Sequence, residues 1–261
     1  GLLTYDHRVS PYGPRCRTGL SGHEIAQGYE DIVDPSVYVR FPVTSGELAE
    51  RFTGVALLVW TTTPWTLVSN TAVAVNPDAD YQVLRLADET LLVGTDLVAA
   101  VVGDSEYQVL ANLTGRELEH LAYRPPFDLV DVPDAHYVIF GDYVTTDDGT
   151  GLVHIAPAFG AEDFTAARAY SLPLVNPVLP DGTFAPDIDI VGGMFFKKAD
   201  EPLVADLQRR GLLFRHLPYE HPYPHCWRCH TPLIYYAQPS WFIRTTARKD
   251  ELLEQNEATN W

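Results

Sequence analysis

Positive charge is scarce in this chain. Its 261 residues carry 18 Lys and Arg against 35 Asp and Glu, a net charge of −17. Nucleic-acid affinity rests on neutralising phosphates with basic side chains, so such a surface should repel a duplex backbone. Any RNA partner would then be held mostly by other parts of a larger protein, with only a short single-stranded end reaching these residues. Solubility in a salty or crowded cytosol accounts for the acidity more plainly. Long apolar runs are missing as well. Hydrophobic residues make up 46% of the chain, which is ordinary for a globular protein, yet no stretch approaches the length of a membrane span. Gly1-Leu2-Leu3-Thr4-Tyr5-Asp6 lacks the basic start and apolar stretch of a signal peptide. With no initiator Met, the expectation is a cytoplasmic fragment of something longer. Cysteine is rare too. The three present, two of them in a C-x-x-C pair, fit a reducing compartment and a metal site better than a disulfide framework. There is no internal repeat and no low-complexity tract.

What is present is organised in blocks. Residues 1–36 are turn-rich, with Ser10-Pro11-Tyr12-Gly13-Pro14-Arg15-Cys16 followed by Thr18-Gly19 and Ser21-Gly22, and read as an irregular leg. From Val37 the pattern turns to strands: an alternating Val37–Phe41, a β-prone run over Val55–Thr63, then Thr71–Val75. Tyr81–Leu86 and Thr90–Val93 flank Ala87-Asp88-Glu89, a hairpin turn. Further strands are expected at 107–110, 137–140 and 152–155. Many short strands separated by turn chemistry point to a mixed α/β, β-rich fold built on a barrel or a strongly bent sheet. Helices are expected at 95–102, stopping at Gly103, and at 163–170. A third is capped by Asp200, with Pro202 in its first turn, Leu203 and Leu207 on one face and Gly211 as its stop. A fourth covers 246–256. From about His216, with His221-Pro222-Tyr223-Pro224, the turn-rich style returns. The division expected is an incoming leg (1–36), a compact domain (37–215) and a returning leg (216–261).

Two segments concentrate polar chemistry at the ends of apolar runs. The first is Trp60-Thr61-Thr62-Thr63-Pro64-Trp65-Thr66-Leu67, continuing to Asn70. Three threonines in a strand follow from β-propensity alone. Pro64, however, donates no ladder hydrogen bond, so the strand must end there and leave the hydroxyls at a strand-to-loop junction. The second is Gly149-Thr150-Gly151-Leu152-Val153-His154-Ile155-Ala156-Pro157, followed by Gly160 and Glu162-Asp163. Taken singly, its glycines permit a tight turn, His154 is a core histidine and Asp163 is a capping carboxylate. Together the segments supply hydroxyls, an amide, an imidazole and a carboxylate, a set able to hold a small polar ligand and orient a water.

These residues in this order resemble one family. WTTTPWTLVSNTAVAV (60–75) is similar to the threonine-rich peptide of isoleucyl-tRNA synthetase editing domains, and GTGLVHIAPAFGAEDF (149–164) to their second motif. SPYGPRCRTGLSGHEIAQGY (10–29) with DPSVYVRF (34–41) looks like the leg leading into that domain. HCWRCHTPLIYYAQPSWFIR (225–244) and the closing NEATNW (256–261) look like the stretch leading back to the catalytic core. The likeness covers essentially the whole chain. Pro64-Trp65 and His154 separate it from the valyl and leucyl relatives, whose peptide carries Arg-Pro and then an acidic residue. The H-I-G-H and K-M-S-K-S motifs of class I synthetases are missing, so these residues should not activate an amino acid.

The resemblance implies a connective-polypeptide editing domain of the valyl, isoleucyl and leucyl type on a two-legged stalk. It would hydrolyse valyl-tRNA(Ile) and work with the 3′ end of tRNA(Ile) and the remainder of the synthetase. A binding pocket distinguishes isoleucine from valine by one methylene, worth about 1–3 kcal/mol, a limit for which this synthetase is itself the usual illustration. By resemblance, Asp163 pairs with the α-ammonium of the mischarged valine. Thr62, Thr63 and Asn70 fix the ester and terminal ribose and place the water, and His154 excludes the extra methylene. Thr61, Trp65, Thr66, Leu67, Gly151, Ala156 and Pro157 complete the substrate site. No Ser-His-Asp or Cys-His set is evident, so attack by an oriented water is expected; an activated ester needs little more than positioning.

Cys226 and Cys229, in His225-Cys226-Trp227-Arg228-Cys229-His230, have knuckle spacing for zinc. The resemblance implies a second C-x-x-C pair on the incoming leg, as in relatives with this kind of stalk, but here Gly13 stands in its first position and only Cys16 remains. A histidine among His7, His225 and His230 would complete a tetrahedron; otherwise the legs form a metal-free ribbon. Editing itself needs no cofactor. Two other functions stay open on the sequence: a free-standing trans-editing hydrolase, and a zinc-ribbon RNA-binding module without catalysis.

Overall fold

The computed structural model describes residues 1–260; Trp261, the last residue of the closing motif, lies outside them. In chain order the strands are β1 (Leu3–Gly13), β2 (Thr18–Gly19), β3 (Tyr29–Pro42), β4 (Val55–Thr61), β5 (Ala72–Val75) and β6 (Asp80–Leu86). They continue with β7 (Glu89–Gly94), β8 (Tyr107–Thr114), β9 (Tyr137–Phe140), β10 (Leu152–Ile155), β11 (Leu213–Pro224) and β12 (Ile234–Ile243). The α-helices are α1 (Gly22–Ala26), α2 (Glu47–Arg51), α3 (Val98–Val102), α4 (Ala161–Ala169), α5 (Asp200–Arg209) and α6 (Lys249–Ala258).

The class is mixed α/β and β-rich, as expected. Six strands form one sheet in the order β11-β3-β4-β7-β6-β8, and two three-stranded sheets run β10-β5-β9 and β12-β1-β2. The large sheet is open, since its edge strands β11 and β8 do not pair with each other. β4 lies between antiparallel β3 and parallel β7. Its two faces feed different cores, which is why it reads as an unbroken apolar run. Leu57 and Val59 join the main cluster with Phe41, Tyr81, Phe184 and Phe196. Ala56 and Leu58 pack under α3 with Leu84, Leu91, Val98 and Val101. β5 is buried along its length between β10 and β9.

The legs differ from the irregular reading. β1 pairs antiparallel with β12 from Leu3 opposite Ile243 to Tyr12 opposite Ile234. The outer half of β3 pairs with β11, Tyr29 opposite Pro224 and Ser36 opposite Leu217. Both strands run without a break through the residues where leg and domain were expected to meet. The prolines that disguised these strands (Pro11, Pro35, Pro218 and Pro222) sit in narrow ribbons, where an N–H can be spared. A partner some two hundred residues away leaves no local trace.

Asp200 needs correcting. It opens α5, and Leu203 and Leu207 are buried with Gly211 at φ 69° closing the turn beyond, as expected. The Asp200 side chain, however, caps nothing in its own helix. Its Oδ1 accepts a 2.8 Å hydrogen bond from the amide of Trp65. No helix among the described residues is long and apolar enough to cross a membrane.

Candidate functional site

β4 delivers Thr61 to the rim of the main core and ends there, earlier than the expected stop at Pro64, with Thr62 and Thr63 leading out of the strand. The chain then makes a 3-10 turn over Pro64–Ser69, every residue of which is buried. Inside this loop the hydroxyls bond one another. Thr61 Oγ1 accepts from the amide of Thr63 at 3.1 Å and lies 3.2 Å from Thr63 Oγ1. Thr63 Oγ1 is 3.3 Å from Thr66 Oγ1, which donates to the Thr63 carbonyl at 2.8 Å. Trp65 points inward, its ring edge-on to Phe159 and Phe196 at 4.7 and 4.9 Å. Leu67 is fully buried beside it.

The second motif arrives from the other side. The glycine turn before β10 docks on β7, where the Gly94 amide donates to the Thr150 carbonyl at 2.8 Å. Gly149 has φ 73°, and a Cβ there would stand 2.7 Å from the Trp60 ring, so glycine is required on both counts. β10 pairs with β5, setting His154 opposite Val73. Alternation along β10 leaves Val153 at the surface and buries His154. His154 Nε2 then meets Thr66 Oγ1 at 2.8 Å. Because the Thr66 proton goes to the Thr63 carbonyl, the imidazole is the donor and Nδ1 is its bare nitrogen, buried without a partner. Burial pushes the His154 pKa down to about 4, so the ring is neutral at physiological pH.

α4 brings the carboxylate. Asp163 stands in its first turn, so close to Gly160 that a Cβ there would lie 2.7 Å from the carboxyl carbon. Its Oδ2 accepts from the Ala156 amide at 2.9 Å, tying α4 to the end of β10, and its own amide in the first turn also meets the carboxylate. Burial pushes its pKa up to about 6; the Ala156 amide opposes the rise and the charge of Glu162 adds to it.

These groups share one cavity of about 250 Å³, lined by Trp60, Thr61, Thr63, Thr66, Val153, His154, Ala156, Phe159 and Asp163. It therefore unites Thr61, Thr63, Thr66, His154, Ala156 and Asp163, all singled out in the sequence. Thr62 is half-buried and off the wall. Asn70 is buried and committed to the protein: its amide NH₂ donates to the Ala72 carbonyl and its oxygen accepts from the Tyr123 hydroxyl, at 2.8 and 2.7 Å. Trp65 packs on Phe159 of the wall, Leu67 and Pro157 are buried off it, and the Gly151 carbonyl accepts the Tyr81 hydroxyl at 2.9 Å. Trp60, Val153 and Phe159 are wall residues that sequence reasoning missed. Alternation about His154 argues against Val153, whose side chain should take the opposite face, and Trp60 and Phe159 look like ordinary core.

The wall offers no activated nucleophile. His154 donates to Thr66, so it cannot also take that hydroxyl's proton. The set suits holding a cation at Asp163 and a polar reacting group at the hydroxyls, with water as the attacking species.

Away from the cavity, the legs bring three thiols together. Cys16 Sγ lies 3.5 Å from Cys229 Sγ and 4.0 Å from Cys226 Sγ, and all three are within 4.8 Å of one another. Sulfurs 2.3 Å from a tetrahedral ion stand about 3.8 Å apart, so the cluster has the dimensions to hold one metal ion. Among the described residues no histidine or carboxylate joins it. His225 Nδ1 lies 2.9 Å from the Tyr223 carbonyl, His230 Nδ1 lies 3.0 Å from Glu30, and His7 sits in β1 opposite Pro239.

No family model matches the chain. Curated relatives do. It is 63% identical over 262 residues to the isoleucine–tRNA ligase of Streptomyces coelicolor, covering 100% of this chain and 25% of that protein. Against the isoleucine–tRNA ligase of Thermus thermophilus it is 46% identical over 261 residues, covering 100% and 24%. The chain belongs to the isoleucine–tRNA ligase family. It spans about a quarter of the length of these relatives. In fold it matches the P. knowlesi cytosolic leucyl-tRNA synthetase editing domain, with a TM-score of 0.53 at 13% identity, covering 73% of this chain and 98% of that one. The isoleucine–tRNA ligase segment thus has the fold of a synthetase editing domain, and its threonine loop and β10–α4 motif meet in one cavity of that fold.

Proposed function

We propose that this segment edits for an isoleucine–tRNA ligase, hydrolysing the ester of valyl-tRNA(Ile) with an oriented water. One observation carries the reading: a buried carboxylate, a neutral imidazole and three threonine hydroxyls line the same small cavity. Asp163 receives the α-ammonium of the mischarged residue. Thr63 and Thr61 face the ester and the water. Asn70 acts from behind, bracing the end of the loop through Ala72 and Tyr123, and Thr62 is left for the terminal ribose outside the wall. His154, neutral at physiological pH, limits volume. At about 250 Å³ the cavity falls below the roughly 300–1,000 Å³ of sites for drug-sized ligands, which suits an aminoacyl group with its nucleotide outside.

The partners follow from the charge. A chain of −17 contributes little phosphate affinity, so the remainder of the synthetase must hold tRNA(Ile) in the cytoplasm and present only its 3′ end. Residues 37–215 form the editing unit, and the legs, 1–36 and 216–261, form the stalk. Cys16, Cys226 and Cys229 would hold zinc between the legs with the fourth position left to water, a structural cross-link distant from the ester chemistry. The test is release of valine from valyl-tRNA(Ile) by the full-length protein. Binding of the charged tRNA with no release would replace the hydrolase with a non-catalytic RNA-binding module.

A further inference from the structure

The turn that carries Thr66 begins without the usual support. Pro64 has no N–H, and the side chain of Thr63 at the cap position accepts no backbone amide of the turn. The first amide available is that of Trp65, and it is satisfied from far away in the sequence, by Asp200 Oδ1 at 2.8 Å. Asp200 is only 5% exposed. It serves no purpose in α5, which starts on an already helical Ala199. It also lacks an ion partner, because the nearby Lys197 Nζ is bonded to Asp34. Burying a carboxylate for a single amide is costly, and a neutral acceptor would fill the bond with less penalty. Trp65 itself is wedged between Phe159 of the cavity wall and Phe196 of the turn preceding α5. A shift at Trp65 therefore displaces the wall at Phe159 and at the adjoining Thr66.

We infer that Asp200 is a positioning residue of the hydrolytic pocket: from α5 it fixes the threonine turn, and so the places of Thr63, Thr66 and Phe159. The inference rests on the editing reading above. It adds a residue outside both motifs and outside the cavity wall. Asp200 also lines a second cavity, of about 640 Å³, with Asp34, Lys197, Glu201 and His216 among others. Burial pushes the Asp200 pKa up to about 7, opposed by the Trp65 amide and Lys197. The other ionisable groups around it are Asp34 on β3 and His216, His221 and Tyr223 on β11; the 3-10 turn brings none. Lowering the pH through 7 should then protonate Asp200 and reduce its bond to the Trp65 amide to a neutral one, the strength that Asp200→Asn has at every pH.

The experiment compares Asp200→Ala and Asp200→Asn with wild type in the full-length protein, reading hydrogen exchange over residues 64–69 and single-turnover release of valine from valyl-tRNA(Ile). Asp200→Ala should speed exchange of the Trp65 amide and lower the rate of release about 10- to 100-fold, the scale of a lost charge-assisted hydrogen bond. Exchange in β5 should stay at its wild-type level. Asp200→Asn keeps an acceptor, so it should recover most of the rate and lose the part of the pH dependence centred near 7. Unchanged exchange at Trp65 in Asp200→Ala, or equal loss in both variants with β5 exchanging faster, overturns the inference. If wild type itself releases no valine, the editing reading fails, and the exchange comparison still decides the anchor.

Discussion

His154 Nε2 and Thr66 Oγ1 meet at 2.8 Å across 88 residues of sequence, and this contact joins the threonine loop to β10. The Thr66 hydroxyl serves two partners, donating to the Thr63 carbonyl and accepting from the imidazole. Replacing it with Thr66→Val keeps the shape of the side chain and strands the ring with both nitrogens unpaired. The expected cost is about 1–3 kcal/mol of unfolding free energy, read by denaturant titration. Thr66→Ser should retain most of it.

Asp163 ties a pH dependence to the chemistry. Its pKa rises from 3.8 to about 6 in the fold, so the folded state prefers the protonated form. Stability from this preference is complete below about pH 4 and is lost as pH rises through 6. Asp163→Asn keeps an acceptor for the Ala156 amide and removes the buried charge. It should therefore be more stable than wild type by about 1–3 kcal/mol at pH 8, with no advantage at pH 4. The same variant should lose valyl-tRNA deacylation, because nothing then pairs with the substrate ammonium. In wild type, kcat/KM for deacylation should fall as pH drops through about 6, beneath the limb assigned to Asp200. A variant that keeps its activity would make Asp163 a brace for β10 and no more.

The thiol cluster predicts a metal count. Full-length protein prepared in zinc-replete medium should carry one more equivalent of zinc than Cys226→Ser, and Cys16→Ser should lose the same equivalent. Equal zinc in all three would leave the legs as a metal-free ribbon. The count concerns the stalk alone, since the cysteines lie on the legs and the cavity lies at β4 and β10.

Much of the architecture was legible because local chemistry dictated it. The β4 run, the Ala87-Asp88 hairpin turn and the helix ends at Gly103 and Gly211 all stand where turn and strand chemistry put them, while β4 stops at Thr61, short of Pro64. Within the motifs, Thr61, Thr63, Thr66, His154 and Asp163 do share one wall. What the sequence concealed was long-range. β1 needs β12 and the outer half of β3 needs β11 before either reads as a strand. Asp200 has every local mark of a helix cap, and only tertiary contact shows that its carboxylate serves Trp65. Asn70 was hidden in the opposite sense, as a polar residue in a functional motif whose amide is already spent inside the protein.

The central claim is that this cavity hydrolyses the smaller ester and excludes the larger by volume, and the His154 ring is where it can be tested. The measurement is the deacylation rate of valyl-tRNA(Ile) and of isoleucyl-tRNA(Ile), side by side, for wild type and His154→Ala in the full-length protein. Wild type should cleave the valyl ester and spare the isoleucyl one. In His154→Ala the Thr66 hydroxyl keeps its bond to the Thr63 carbonyl and Asp163 is untouched. The valyl ester should still be cleaved, and isoleucyl-tRNA should become a substrate, with selectivity falling about tenfold to a few hundredfold, the worth of one methylene. Loss of both activities together, with the fold intact, would contradict the account and make His154 part of the chemistry.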